Sequence, residues 1–227
     1  MTHFPRLYAI ADLDFISTRK LDLQTYADEL RAAGVELVQY RDKRGTPQEV
    51  LRAAAVLLEA FAGSGATLVM NDRADLAVLA GFDGVHVGQD DLLPEDAKAV
   101  MRGSIPAHRI GQERDEWGTR NGGVVGVSTH TEEQVRAAEL SCADYVAVGP
   151  VFATGTKTDA EAVVELEGVR RARARTSKPL VAIGGITRAN ARSVIDAGAD
   201  SVAVISALFA DGESVEQVAR DFLALLG

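Results

Sequence analysis

The chain has one cysteine in 227 residues, and a lone thiol cannot close an internal disulfide, so the fold must stand on packing alone. Cys142 lies beside Ala143 ahead of a short apolar run, where a small buried filler is expected rather than a nucleophile. No pattern of cysteines and histidines at metal-ligand spacing occurs, which leaves no zinc site to read. No apolar run approaches the ~20 residues that a membrane span needs. The opening Met1-Thr2-His3-Phe4-Pro5-Arg6 has no apolar stretch behind its charge, so the expectation is a soluble, cytoplasmic protein without a secretion signal. Cations are in deficit: 24 Lys and Arg against 33 Asp and Glu give a formal net charge of -9. That balance opposes the basic footprint of nucleic-acid binding and favours a small-molecule partner. An anionic substrate stays compatible, because a few cations converging in a cleft make a positive pocket on an acidic protein. No G-x-G-x-x-G opens a helix after a strand, so the dinucleotide fingerprint is missing too.

What is present is a regular alternation. Hydrophobic residues make up 47% of the chain, enough for a sizeable core, and they fall in short runs. Strand-like runs lie at 7–11, 37–41, 67–71, 84–88, 124–128, 145–149, 180–184 and 202–206. Ala/Leu/Glu-rich amphipathic segments separate most neighbours, at 23–33, 48–62, 74–80, 94–102, 132–140, 165–175 and 189–197, and a last helix is expected at 214–226. Strand alternating with helix means parallel pairing, and eight such units fit a closed barrel better than an open doubly wound sheet. The expected fold class is therefore α/β, a single (β/α)8 TIM barrel over residues 1–227.

The phrases Ala33-Gly34-Val35-Glu36, Ala80-Gly81-Phe82-Asp83, Ser141-Cys142-Ala143-Asp144 and Ala197-Gly198-Ala199-Asp200 read as repeated αβ turns rather than active residues. The connection 103–123, with Pro106, Gly111, Trp117 and Gly118 among charges, fits poorly. It reads as a surface excursion or a subunit contact, with Trp117 an anchor rather than a substrate stacker.

Active sites of such barrels occupy the C-terminal face, so polar residues just past each strand are the candidates. Gln39, Arg41 and Lys43 share a parity at the end of strand 2, where two cations at that spacing could grip a diphosphate; a solvated turn is an equal reading. Strand 3 ends in Asn71-Asp72-Arg73 and strand 4 runs into Gly88-Gln89-Asp90-Asp91. Asp72 and Asp91 beside a cationic diphosphate site would repel the substrate unless a divalent ion bridged them, which suits Mg²⁺. His86, inside strand 4, reads as a hydrogen-bonded core residue rather than a base. After strand 5, Ser128 faces substrate or caps a helix, while Thr131 reads as the cap of the next one. Thr154, Gly155, Thr156 and Lys157 after strand 6 make a mobile lid with a phosphate-neutralising cation. Gly184-Gly185 after strand 7, followed by a helix start, reads as an anion site, with a merely tight turn as the bland alternative.

Taken in order, Gln39-Tyr40-Arg41-Asp42-Lys43, Asn71-Asp72-Arg73, His86 to Asp91, Val127 to Thr131, Gly149-Pro150 through Lys157, Ile183 to Thr187 and Ile205-Ser206 resemble the thiamine phosphate synthase family over nearly the whole chain. The resemblance implies the joining of 4-amino-2-methyl-5-hydroxymethylpyrimidine diphosphate to 4-methyl-5-(2-phosphooxyethyl)thiazole. It implies that Arg41, Lys43, Asn71 and Lys157 hold the pyrimidine diphosphate, with Gln39 nearby. By the same resemblance Asp72 and Asp91 would ligate Mg²⁺ and Ser128 would sit near the reacting pyrimidine, while Thr154, Thr156, Gly185 and the Ile205-Ser206 backbone would bind the thiazole phosphate. It also suggests a homodimer. Diphosphate leaves a benzylic-type carbon and the thiazole nitrogen captures it, so the burden falls on charge stabilisation by Mg²⁺, Arg41, Lys43 and Lys157, with no strong base. Two departures stand out: Ala153 where the family usually has proline, and the length of 103–123. The rival readings are a thiazole tautomerase on the same barrel, using a histidine such as His130, and a silent barrel that binds thiamine phosphate without turnover.

Overall fold

The computed structural model describes residues 4–103, 122–155 and 162–227. Eight strands, β1 (Leu7–Asp12), β2 (Leu37–Arg41), β3 (Thr67–Asn71), β4 (Gly84–Val87), β5 (Val124–Thr129), β6 (Tyr145–Val148), β7 (Leu180–Ile183) and β8 (Ser201–Val204), pair in sequence order into a closed parallel barrel. Closure comes from β1, which pairs β2 on one side and β8 on the other, with Leu7 opposite Val202.

The helices are α1 (Leu13–Thr18), α2 (Leu23–Ala33), α3 (Pro47–Ala60), α4 (Ala74–Ala80), α5 (Pro94–Arg102), α6 (Glu132–Leu140), α7 (Glu165–Arg173), α8 (Ala191–Asp196) and α9 (Val215–Leu226). Among the described residues no helix is long and apolar enough to cross a membrane. Strand and helix bounds differ from the sequence expectation by a residue or two, mostly because strand pairing stops where the chain turns into the next loop. The expected strands at 84–88 and 202–206 end at Val87 and Val204. One helix was missed: α1 starts directly from β1 because the Asp12 side chain caps it, accepting the Phe15 N–H at 3.0 Å.

Side chains alternate along each strand, so every strand feeds two cores. Outward residues such as Ala9, Val38, Met70, Val85, Val146 and Val202 pack under the helices. Inward residues Tyr8, Ile10, Leu37, Val69, Val124, Tyr145, Val181 and Ala203 fill the barrel. The αβ turns follow expectation where glycine supplies the left-handed cap: Gly34 and Gly81 close α2 and α4 at φ 85° and 79°.

These turns also carry a repeated device. Asp83, Asp144 and Asp200, each just before a strand, accept the N–H of Leu68, Val125 and Leu180 in the preceding strand at 2.9, 2.7 and 2.8 Å. The acids tie the N-terminal rim together and leave the opposite end open. Cys142 corrects the expectation of a buried filler: it is half-buried, because Ala143 takes the buried place in that turn.

Candidate active site

Strand ends bring the expected residues together. A cleft of about 880 Å³ is lined by Arg41, Lys43, Asn71, Asp72, Asp91, Ser128, Thr154, Gly185, Ile205 and Ser206. Gln39 lies beneath it, with Tyr8, His86 and Ser128, around a small cavity of about 30 Å³. Thr156, Lys157 and Trp117 lie outside the described residues.

Both candidate cations at the end of β2 are engaged by acids. Arg41 donates to the buried Asp12 carboxylate, the residue paired with it across β1 and β2. Lys43 donates to Asp72. Arg44 reaches back to Asp14 on α1, its Nε donating at 3.0 Å. Asp42 builds the turn between them, accepting the Arg44 and Gly45 N–H groups at 2.9 and 2.7 Å. The positive charge at this rim is thus held in place by carboxylates rather than left free in solvent.

Asp72 sits in the left-handed region at φ 61°, a conformation aspartate tolerates better than most side chains, and which directs it over the strand ends. Burial raises its carboxyl above the ordinary carboxylate range; Asp91, in hydrogen-bond contact, pushes the same way, and Lys43 opposes them. Asp91 is fixed by the Gly88 N–H, which it accepts at 2.8 Å. Two crowded carboxylates of this kind fit a divalent cation that draws its remaining oxygens from water and substrate phosphate. Among the described residues no group of three or more His, Cys, Asp and Glu is gathered to hold a metal, here or elsewhere, so protein ligands beyond these two are not supplied.

His86 is the core residue expected of it. Its Nδ1 lies 2.9 Å from the Tyr145 hydroxyl and its Nε2 2.8 Å from Ser128 Oγ. His130, on the cleft wall, is anchored through Nδ1 to the Gly149 carbonyl at 2.6 Å. Thr131 caps α6 as expected, in a capping box completed by Gln134.

One part of the anion reading at Gly184-Gly185 needs correction, the helix start expected to supply amides there. Helix α8 begins at Ala191 and has only 6 residues, so it does not present its first amides beside the glycines. Asn190 occupies the intervening turn, accepting the Thr187 N–H at 2.8 Å and donating to the Gly185 carbonyl at 3.1 Å. The glycine pair is required by packing: at φ 63° a Cβ on Gly185 would lie 2.6 Å from the Ala153 carbonyl oxygen. Pro150, Ala153 and Thr154 line the cleft together with Ser206, which opens the short 3-10 turn Ser206–Leu208 after β8.

Three side chains that pack against the site residues escaped the sequence reading. Asp12 was legible by the same strand-end rule applied to β1. Tyr8 and Tyr145 point inward by strand parity, a signal that appears only once the register is known.

Fold and cleft place the chain among the (β/α)8 barrel enzymes, whose chemistry sits at the strand ends. Its sequence matches the thiamine monophosphate synthase family over residues 7–107 and 114–208, and the chain belongs to that family of transferases. It is 49% identical over 224 residues to the thiamine-phosphate synthase of Koribacter versatilis, covering 98% of this chain and 96% of that one. It is 37% identical over 221 residues to the enzyme of Chloroflexus aurantiacus, covering 97% and 92%. A solved thiamine phosphate pyrophosphorylase from Pyrococcus furiosus superposes with a TM-score of 0.78 at 28% identity, over 97% of this chain and 95% of that one. The 3-hexulose-6-phosphate synthase of Salmonella typhimurium, TM-score 0.69 at 17% identity over 97% and 98%, shares the fold.

Proposed function

We propose that this barrel joins 4-amino-2-methyl-5-hydroxymethylpyrimidine diphosphate to 4-methyl-5-(2-phosphooxyethyl)thiazole, giving thiamine phosphate and diphosphate. The observation that carries the residue assignment is the convergence of Arg41, Lys43, Asn71, Asp72, Asp91 and Ser128, from four different strand ends, on one cleft. Arg41, Lys43 and Asn71 hold the diphosphate, joined by Lys157 on the ground of the sequence resemblance. Asp72 and Asp91 would hold Mg²⁺, which supplies further neutralisation of the leaving diphosphate. Gln39 and Ser128 take the pyrimidine side. Thr154, Gly185 and the Ile205-Ser206 backbone, with Thr156, take the thiazole phosphate.

The carbon–oxygen bond to diphosphate breaks with its electron pair leaving on oxygen, and the thiazole nitrogen supplies the pair for the new carbon–nitrogen bond. The ring amino group of the pyrimidine stabilises the electron-poor carbon between these events. What the protein contributes is orientation and fixed positive charge: Asp12 keeps the Arg41 guanidinium aimed along the cleft, so little reorganisation accompanies departure. Incubating the purified protein with both substrates and Mg²⁺, then oxidising to the fluorescent thiochrome, tests the reading. Thiamine phosphate is the expected product. Isomerisation of a thiazole instead, or product binding without turnover, would overturn it.

A further inference from the structure

Past the end of β2 the cleft has a third cation that the assignment above does not use. Arg41, Lys43 and Arg44 all line it, and each rests on its own acid. The pairs differ sharply in exposure: the side chains of Arg41 and Asp12 are 18% and 5% exposed, those of Lys43 and Asp72 48% and 18%, and those of Arg44 and Asp14 77% and 42%. A buried pair is costly to part, because each charge is left without water or partner, whereas a solvated pair is worth little. Arg44 is therefore the cation that can change partner.

Its bond to Asp14 is also a poor use of a guanidinium. Nε, at 3.0 Å, and Nη2 both donate to the same oxygen, Oδ1 of Asp14. A phosphate offers two oxygens to two parallel N–H donors, the arrangement that the planar fork favours. The backbone can stay where it is during such an exchange. Asp42 Oδ1 accepts the Arg44 and Gly45 N–H groups at 2.9 and 2.7 Å, and a Cβ on Gly45 would lie 2.1 Å from Asp42 Oδ2, so the turn is set and the side chain alone swings.

The charges of the cleft give the exchange a direction. Among the described residues four carboxylates line it, Asp14, Asp72, Asp90 and Asp91, against the three cations. A polyanion gains from such a lining chiefly when cations turn from their acids toward it. Asp14 lines the same cleft and is exposed enough to take up water when Arg44 leaves.

We propose that Arg44 is a further binding residue for the diphosphate group, and that Asp14 competes with that group for the same guanidinium. The incoming diphosphate displaces the carboxylate and takes both donors, while Arg41 stays with Asp12. The kinetic part rests on the pyrimidine diphosphate reading above; the exchange itself is tested with diphosphate alone.

The two residues then act with opposite sign. Calorimetric titration with inorganic diphosphate and Mg²⁺ should give a Kd about 10-fold weaker in Arg44→Gln. In Asp14→Asn, where the competitor is gone, it should be about 3-fold tighter. In the double variant the gain from Asp14→Asn should vanish, since no guanidinium is left to release. A pair that merely ties the loop after β2 to α1 would weaken binding in both single variants. A general field effect of the lost carboxylate would give the same gain with or without Arg44. Either result overturns the proposal, as does wild-type affinity in Arg44→Gln or in Asp14→Asn. In steady-state turnover the loss in Arg44→Gln should fall on KM for the pyrimidine diphosphate rather than on kcat, because the cation holds the diphosphate alike before and after the bond breaks. The expected binding pattern in a protein that made no thiamine phosphate would uphold the exchange and remove only the reading above.

Discussion

Asp12 and Arg41 face each other at the ends of β1 and β2, and the acid does two things at once: Oδ2 accepts from the guanidinium, and Oδ1 accepts the Phe15 N–H that starts α1. The aspartate thereby links the direction of a substrate-facing cation to the first turn of the neighbouring helix.

Asp12→Asn separates these duties. Asparagine still caps a helix, so α1 should survive. Arg41 loses its counter-charge in a place where its side chain is 18% exposed and that of Asp12 5%, which should cost about 1–3 kcal/mol of stability. With the guanidinium no longer aimed, kcat/KM for the pyrimidine diphosphate should fall at least ~10-fold. Steady-state kinetics beside a urea titration checks both; unchanged kcat/KM would mean that Arg41 is oriented by something else.

Much of this site could be read before the fold was seen, because strand ends are where a barrel exposes its chain. Arg41, Lys43, Asn71, Asp72, Asp91 and Ser128 each follow an apolar run and differ from it sharply. Tyr8 and Tyr145 offer no such contrast: a tyrosine inside a β-rich run reads as packing until its register partner is known. The start of α8 was misplaced for a different reason. Ile186 and the Ala189 to Ala197 stretch continue the apolar spacing, and nothing in that spacing shows that Asn190 bonds back to Thr187 and Gly185 instead of entering the helix.

The far rim of the barrel should separate stability from activity. Asp200 Oδ2 accepts the N–H of Leu180, a residue 0% exposed, and also pairs with Arg173. Asp200→Ala leaves that amide buried without its acceptor, at a cost of about 1–3 kcal/mol, while the half-exposed ion pair adds little. The urea midpoint should drop and kcat in native buffer should not change. A loss of turnover in protein still fully folded would contradict the division of labour between the two ends.

Glu139 on α6 gives a pH signature. It accepts from the hydroxyls of Thr176 and Ser177 and from the Ser177 N–H, and these bonds lower its carboxyl from an ordinary 4.5 to about 2. The unfolded chain therefore binds the extra proton between those values. The stabilisation is full above about 4.5 and is lost as pH falls through about 2. Glu139→Gln should melt below wild type at pH 7, with the gap closing as the pH is lowered across that window. A gap independent of pH would show that the carboxylate's charge is not what matters.

The carboxylate pair makes opposite demands with and without a cation. Burial and the neighbouring Asp91 both raise the Asp72 carboxyl, so the acid beside it disfavours the charged form of Asp72; two unit charges about 4 Å apart at an effective dielectric of about 20 repel by roughly 4 kcal/mol. Asp91→Asn removes one charge and keeps the amide oxygen that can accept the Gly88 N–H. In metal-free buffer the variant should melt no lower than wild type. Adding Mg²⁺ with inorganic diphosphate should reverse the order. A ligand at about 100 times its Kd stabilises a protein by about 2.7 kcal/mol, and wild type should gain on that scale where Asp91→Asn gains little. Turnover should follow, with more Mg²⁺ needed for half-maximal rate and a lower kcat. An unchanged Mg²⁺ requirement in Asp91→Asn, or full wild-type turnover in excess EDTA, would remove the metal from Asp72 and Asp91 and leave their crowding to be explained by Lys43 alone.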